Sequence, residues 1–343
     1  MKLLIITQKV DKNDQLLGFF IDWLKLFADK FENVTVLCMK RGEFELPENV
    51  RVISLGKDSG AGKLRQLFNF YRYIFLSKKE YDAVLVHMNP IWMVLGGPAW
   101  RLLRKKTFLW YTHKAVTLKL KLAEKFADTI FTASKESFRL KSGKVVVMGH
   151  GIDTKSFKPD PNKLQAARRE LKILSVGRIA PVKNYETLIG AANILNRRGL
   201  DFSVTMVGEA ALEEDRRYEM EIKKKIEELG LASKFNFAGK INHRDLPGIY
   251  RSHDIFVHLS KTGSVDKTLL EAMACGIKVL SSNDSARAFL PEELLFDENE
   301  PAGLADKIIK VKDAELFPGL RDYILNSHNL ENLITNINRI INA

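Results

Sequence analysis

Short apolar runs alternate along the whole chain with longer stretches in which apolar residues return every three or four positions. The short runs predict strands and the longer stretches predict helices with one buried face. Seven strands are expected in the first half, within KLLIIT, VTVLCM, VRVIS, AVLVHM, TFLWYT, DTIFTAS and KVVVMGHG. Five more follow in LKILSVG, FSVTMVG, KFNFAG, DIFVHLS and IKVLSSN. Strands separated by helical crossovers pair in parallel, and this many strands exceed one sheet of ordinary size. The pattern therefore predicts an α/β protein of two doubly wound, Rossmann-like domains with mostly parallel sheets. Prolines and polar residues interrupt the pattern in GHGIDTKSFKPDPNKLQAARRE, which puts the seam there: a first domain over 1–158 and a second over 159–325.

Two segments depart from this simple alternation. Residues 83–100, AVLVHMNPIWMVLGGPAW, contain no Asp, Glu, Lys or Arg. Asn89-Pro90 and Gly96-Gly97-Pro98 interrupt them, so they read as a strand and a short apolar helix buried under an inter-domain cleft, not as a membrane span. Residues 60–82 combine Leu64, Leu67, Phe68, Tyr71, Ile74 and Phe75 with Lys63, Arg65, Arg72, Lys78 and Lys79. Periodicity alone favours a core-facing helix there, while the basic flanks also suit a membrane surface.

Composition fits this picture. The chain has 343 residues, 45% hydrophobic and 28% charged, enough for two cores. Cys38 and Cys275 stand far apart in apolar runs, which argues against a disulfide framework or a metal cluster and for a reducing cytoplasm. Leu3 to Ile6 is too short for the core of a signal peptide and reads as a first strand. The charge is uneven. Residues 1–160 hold 28 Lys and Arg against 16 Asp and Glu, while residues 161–343 hold 26 against 26, so the whole net charge of +12 belongs to the first half. Such a field suits an anionic partner: a phosphate-bearing substrate, a membrane face or nucleic acid. Nucleic acid ranks last, because no recognition motif and little aromatic interleaving accompany the basic runs.

Doubly wound sheets bind ligands at the carboxyl ends of their strands, which directs attention to the loops after the second-half strands. In SVGRIAPVKN, Arg178 and Lys183 precede a helix beginning near Tyr185 and could hold a diphosphate. Gly208 in MVGEAAL would let a ligand approach the backbone. Gly239 in FAGKINHRDLPGIY ends a strand, and the backbone of Lys240 and Ile241 could face a flat ring. KTGSVDK runs into TLLEAMACG, so amides near Lys267 and Thr268 can take phosphate oxygens, and Glu271, one turn deeper, can accept the vicinal hydroxyls of a ribose.

Together these loops resemble the donor domain of glycosyltransferase family 4, the retaining group with the GT-B fold. The resemblance rests on Gly177-Arg178 with Lys183, Gly208, Phe237-Ala238-Gly239, Asp254 and Glu271. It covers residues 172–283 and extends to HNLENLITNI, similar to the family's closing helix, which implies that 326–343 packs back on the N-terminal domain. It also implies two domains facing a central cleft, with the first binding the acceptor. In that first half Gly18 lines up with the family's glycine loop, although Leu17 holds the place of its other glycine. His113 lies where the family carries a histidine facing the donor sugar, and GHGIDTKSF resembles the inter-domain signature, with His150 where asparagine is common.

One departure stands out: counting eight back from Glu271 reaches Gly263, where the family has the first glutamate of Glu-x7-Glu, the one that holds the transferred sugar. Asp266 and Lys267 in the same loop could supply a replacement carboxylate and an added phosphate cation. The resemblance implies a retaining transferase that moves a hexose from a nucleotide diphosphate sugar, the donor being a substrate with no cofactor beside it. Because no Asp-x-Asp ends a suitable strand, the expected reaction needs no metal. His113, Arg178 and Lys183 are the expected catalytic residues. Gly18, Gly208, Gly239, Ile241, Asp266, Lys267, Thr268 and Glu271 are the expected donor contacts. The basic first half suits a lipid-linked acceptor, or a polysaccharide precursor, at the inner face of an anionic membrane. Two other readings stay open: a nucleotide-sugar binding protein without catalysis, favoured by Gly263, and a sugar-nucleotide epimerase on the same scaffold.

Overall fold

A computed structural model describes residues 1–14, 16–161, 170–260 and 264–343. The chain divides into two compact units, Met1–Asp153 with His328–Ala343, and Thr154–Ser327. In the first unit β1 (Lys2–Val10), β2 (Asn33–Arg41), β3 (Val50–Ser54), β4 (Ala83–His87), β5 (Lys106–Trp110), β6 (Thr129–Thr132) and β7 (Val145–Val147) form one parallel sheet in the order β3-β2-β1-β4-β5-β6-β7. Every residue of β4 is buried, as expected of a strand covered on both faces.

Alternation decides which residue meets which helix layer. Leu3 and Ile5 of β1 pack against α1 (Phe20–Lys30), while Leu4 and Ile6 join the core under α2 (Lys63–Leu76), α3 (Pro90–Leu102) and α4 (Leu118–Phe126). The apolar segment 83–100 is accordingly a strand followed by a helix of the first unit. In α3, Gly97 lies against α4 so closely that a Cβ would sit 2.4 Å from the Phe126 ring.

The second unit repeats the plan. β8 (Leu171–Val176), α5 (Tyr185–Arg197), β9 (Phe202–Val207), α6 (Glu213–Glu228), β10 (Phe235–Gly239), α7 (Leu246–Arg251), β11 (Ile255–His258), α8 (Lys267–Ala274), β12 (Lys278–Ser281), α9 (Pro301–Lys312) and α10 (Leu320–Ser327) follow in order. The sheet is parallel in the order β10-β9-β8-β11-β12. The strand order reverses between β8 and β11, and such a switch point opens a crevice at the strand ends. After α10 the chain returns to the first unit as α11 (Leu330–Asn342), whose Leu330, Leu333, Ile334, Ile337 and Ile341 complete the core with Trp23 and Phe27 of α1.

The helix expected from the stripe in residues 60–82 is α2, but its buried face differs from the expected one. Gln66, Phe70, Tyr73 and Ile74 point into the core, whereas Leu64, Phe68 and Phe75 are exposed. The helix carries apolar residues nearly all round, so the side chosen is the one complementary to α3 and β4, which periodicity does not encode.

Among the described residues no helix is long and apolar enough to cross a membrane. Cys38 and Cys275 are buried free thiols in different units, each pushed up to about 12, chiefly by burial.

Candidate active site

Three glycines end the neighbouring strands β8, β9 and β10. The Gly177 amide donates to the Val207 carbonyl at 2.9 Å, and the Gly208 amide donates to the Gly239 carbonyl at 2.8 Å. At Gly208 the backbone leaves no room: a Cβ would lie 2.0 Å from the Gly177 carbonyl oxygen. Gly239 is needed for a different reason, since its φ of 65° is left-handed while the space around it is open. Ile241 follows in the loop before a short 3-10 turn at His243–Asp245.

The loop after β8 turns through Pro181–Lys183 into α5. Asn184 makes the corner with φ 47° and ψ 49°, and its side-chain amide donates to Thr187 Oγ1 at 3.0 Å and to the Glu298 carbonyl. Asparagine tolerates this conformation, so the turn is locked and the stem of Lys183 is directed back over Gly177, 3.3 Å from where a Cβ would stand. The Lys183 ammonium donates to Ser260 Oγ at 3.3 Å and to the Asp266 carboxylate. Lys183 thus sits at the switch point, joined to the loop after β11 and to the N-cap of α8.

Asp266 is the N-cap residue of α8 but makes no side-chain cap bond to it. Its Oδ2 accepts from His258 Nε2 at 3.1 Å as well as from Lys183. Burial by itself would raise this carboxyl, but the His258 bond and the Lys183 charge outweigh that and hold it well below the usual carboxylate range. His258 Nδ1 lies 3.0 Å from Ser281 Oγ, which already accepts from the Asn283 amide at 3.1 Å. Facing a carboxylate that only accepts, His258 Nε2 is the donor to Asp266. Asn283 in turn donates to the carbonyls of Ser260 and Ser264 at 3.3 and 3.0 Å, tying the loops after β11 and β12 together. Gly263 lies outside the described residues.

One turn into α8, Glu271 is buried, with Oε1 accepting from His243 Nε2 at 3.0 Å and Oε2 from the Tyr250 hydroxyl at 3.1 Å. Burial opposes its charge, yet the bonds from His243 and Tyr250 and the nearby Lys267 lower its pKa. A carboxylate has about four acceptor positions, two of which His243 and Tyr250 occupy. Thr268 presents a buried hydroxyl with no protein partner among the described residues.

Arg178 follows Gly177 directly after β8. Its guanidinium Nε is 3.7 Å from Asp215, a buried carboxylate that caps α6 by accepting from the Ala211 and Leu212 amides at 3.2 and 3.0 Å. Asp254 lies at the opposite end of the strands, where it accepts from the Lys172 amide at 2.9 Å and fastens β11 to β8. Gly18 and His113 belong to the first unit. A Cβ on Gly18 would meet the Asp14 carbonyl oxygen at 2.5 Å, so packing within its own loop already requires glycine there. His113 is exposed after β5, and its Nδ1 accepts from the Ala115 amide at 3.1 Å, which leaves the proton of a neutral ring on Nε2.

Sequence reasoning missed His243, His258, Tyr250 and Ser260. Each was visible as a polar group in or beside a strand-end loop of the second half. Only the fold brings them onto Asp266, Glu271 and Lys183.

Paired parallel sheets of this kind, with a cation and a helix start meeting at the switch point, define the class of two-domain GT-B glycosyltransferases. Residues 156–327, half of the chain, match the family described as glycosyl transferases group 1, and the chain belongs to that family. It is 30% identical over 149 residues to mannosylfructose-phosphate synthase of Agrobacterium fabrum, a match covering 41% of this chain and 33% of that one. It is 26% identical over 333 residues to the UDP-Gal:alpha-D-GlcNAc-diphosphoundecaprenol alpha-1,3-galactosyltransferase of Escherichia coli, covering 85% and 79%. In fold it is similar to Anabaena Alr3699/HepE in complex with UDP, with a TM-score of 0.79, 19% identity and complete coverage of both chains.

Proposed function

We propose that this protein transfers a hexose, with retention of anomeric configuration, from a nucleoside diphosphate sugar to a lipid-linked acceptor. The observation that carries the reading is Lys183, held at the switch point against the first turn of α8 while Glu271 lies one turn deeper. A diphosphate at Lys183 and the Lys267 and Thr268 amides would leave the ribose hydroxyls within the helix's reach of Glu271. The complexes of the Anabaena structural neighbour with UDP and with UDP-glucose support a nucleotide-sugar donor. The diphosphoundecaprenol acceptor in the name of the Escherichia coli relative supports a lipid-linked one.

As the bond from the anomeric carbon to the distal phosphate oxygen breaks, its electrons stay on that oxygen and negative charge grows there. Lys183 and Arg178 oppose that charge with fixed positive groups, and the helix start adds its amides. His113 is assigned to the sugar and Gly18 to the approach of the first unit's loop. Asp266 keeps His258 and Lys183 in position.

The test is a thermal-shift panel of nucleoside diphosphates and their sugar conjugates, followed by turnover of whichever conjugate binds. Lys183→Ala is expected to lower turnover by about a hundredfold to a thousandfold. Undiminished turnover in that variant would refute the assignment. Gly263 favours a second reading, in which donor binds but no sugar moves. Slow release of nucleoside diphosphate from donor and water by the native chain separates the two, because a pure binding protein releases none.

A further inference from the structure

The helix α2 shows two faces of different chemistry. Gln66, Phe70, Tyr73 and Ile74 are buried. On the opposite side Leu64, Phe68 and Phe75 are 84%, 65% and 46% exposed. At 3.6 residues per turn these three and the half-buried Tyr71 fall within an arc of about 60°. Tyr71 and Phe75 stack with ring centroids 6.4 Å apart, which joins two members of the stripe into one apolar patch. Arg65 and Arg72 run along one edge of it, both exposed and, among the described residues, without a carboxylate partner.

Charge says what this face fits. From 59 to 79 the chain has five cations, Lys63, Arg65, Arg72, Lys78 and Lys79, and no Asp or Glu. A second copy of the same face would bring like charges together, which disfavours self-association. An anionic lipid surface satisfies both features: acyl chains and the glycerol region take the leucine and phenylalanine side chains, and headgroup phosphates take the arginines. The same helical layer repeats the pattern on a smaller scale, with Leu118 of α4, 72% exposed, beside Lys119 and Lys121.

We infer that the outer face of α2 docks the protein in the plane of an anionic membrane, with Leu64, Phe68 and Phe75 inserted and Arg65 and Arg72 on lipid phosphates. Such a face would bring the first unit to a lipid-linked acceptor. The inference draws on that reading of the acceptor but is tested without donor or acceptor, so either can fail alone.

The experiment is co-sedimentation of the full chain with vesicles of phosphatidylglycerol or of phosphatidylcholine, at low and physiological salt. Binding to phosphatidylglycerol, weakening as salt rises, is expected, with little binding to phosphatidylcholine. Phe68→Ser and Phe75→Ser should each weaken binding about tenfold. Arg65→Gln and Arg72→Gln should each weaken it about fivefold and flatten the salt dependence. Because Cys38 and Cys275 are buried, a solvent-sensitive fluorophore can be attached selectively at Phe68→Cys, and its emission should shift to the blue on adding phosphatidylglycerol vesicles. That label is independent of whether the serine variants fold. Absence of binding to phosphatidylglycerol at low salt overturns the inference. So does an unshifted label on bound protein, or a self-association of the native chain that Phe68→Ser abolishes.

Discussion

At the scale of single residues, Asp266 changes what the phosphate site was expected to be. From sequence, Asp266 reads as a replacement carboxylate for the donor, but in the fold its carboxylate accepts from the Lys183 ammonium and from His258 Nε2. A diphosphate at Lys183 must compete with that carboxylate. Asp266→Asn keeps an acceptor for His258 Nε2 and removes the competing charge, so it is expected to tighten nucleoside diphosphate binding about tenfold, the worth of one charge-assisted hydrogen bond. Calorimetric titration checks this, and equal or weaker affinity in the variant would show that Asp266 positions Lys183 without opposing the ligand. Lys183, Gly208 and Glu271 could be picked out in the sequence because together they follow the family's pattern across the strand ends and the start of α8. Their partners His243, Tyr250 and His258 could not, since they lie 28, 21 and 8 residues from the groups they bind.

At the scale of elements, α11 is the clearest case of a long-range contact with a readable pattern. Its apolar residues recur at helical spacing, and they join the core that holds Trp23 and Phe27. The chain reaches it through His328, whose Nδ1 accepts from the His150 amide at 3.0 Å while its carbonyl accepts from the Ile152 amide at 2.6 Å. Protonating Nδ1 would break the first bond, and burial lowers His328 to about 4. The unfolded chain, with a histidine near 6.5, binds this proton more readily, so the contribution is complete above about pH 6.5 and is lost as pH falls toward 4. The loss amounts to about 3 kcal/mol by the value of a pKa shift. His328→Asn supplies an acceptor that does not titrate, and its melting temperature should therefore fall less than that of the native chain between pH 6.5 and 4. Identical slopes would exclude His328 as the group responsible. The face presented by α2 is the opposite case: its rotation was set by α3 and the sheet, which bury Ile74 of the expected stripe and leave Leu64, Phe68 and Phe75 outside.

At the scale of the whole molecule, the first unit is built from two separate pieces of chain, Met1–Asp153 and His328–Ala343, while the second is continuous. Removing residues 328–343 would uncover Trp23 and Phe27, large apolar groups that contribute several kcal/mol when buried. The shortened chain is expected to lose cooperative melting of the first unit but to keep stabilisation by nucleoside diphosphate, because Lys183, Asp266 and Glu271 all lie in 154–327. Differential calorimetry with and without nucleotide checks this, and loss of the nucleotide response would mean that the donor site depends on the first unit. The uneven charge belongs to this scale as well, since most of the +12 of residues 1–160 lies in the unit that carries the exposed face of α2.

Among the described residues, the sequence by itself determined twelve strands, their grouping into two parallel sheets and the loops that follow them. It could do so because strand and helix periods, apolar runs and loop glycines are local properties, legible within a few residues. Tertiary structure alone decided which side of α2 faces water, which acid holds Lys183 and which histidine holds Glu271. Those outcomes depend on packing between segments far apart in the chain, where shape and charge must be matched in space.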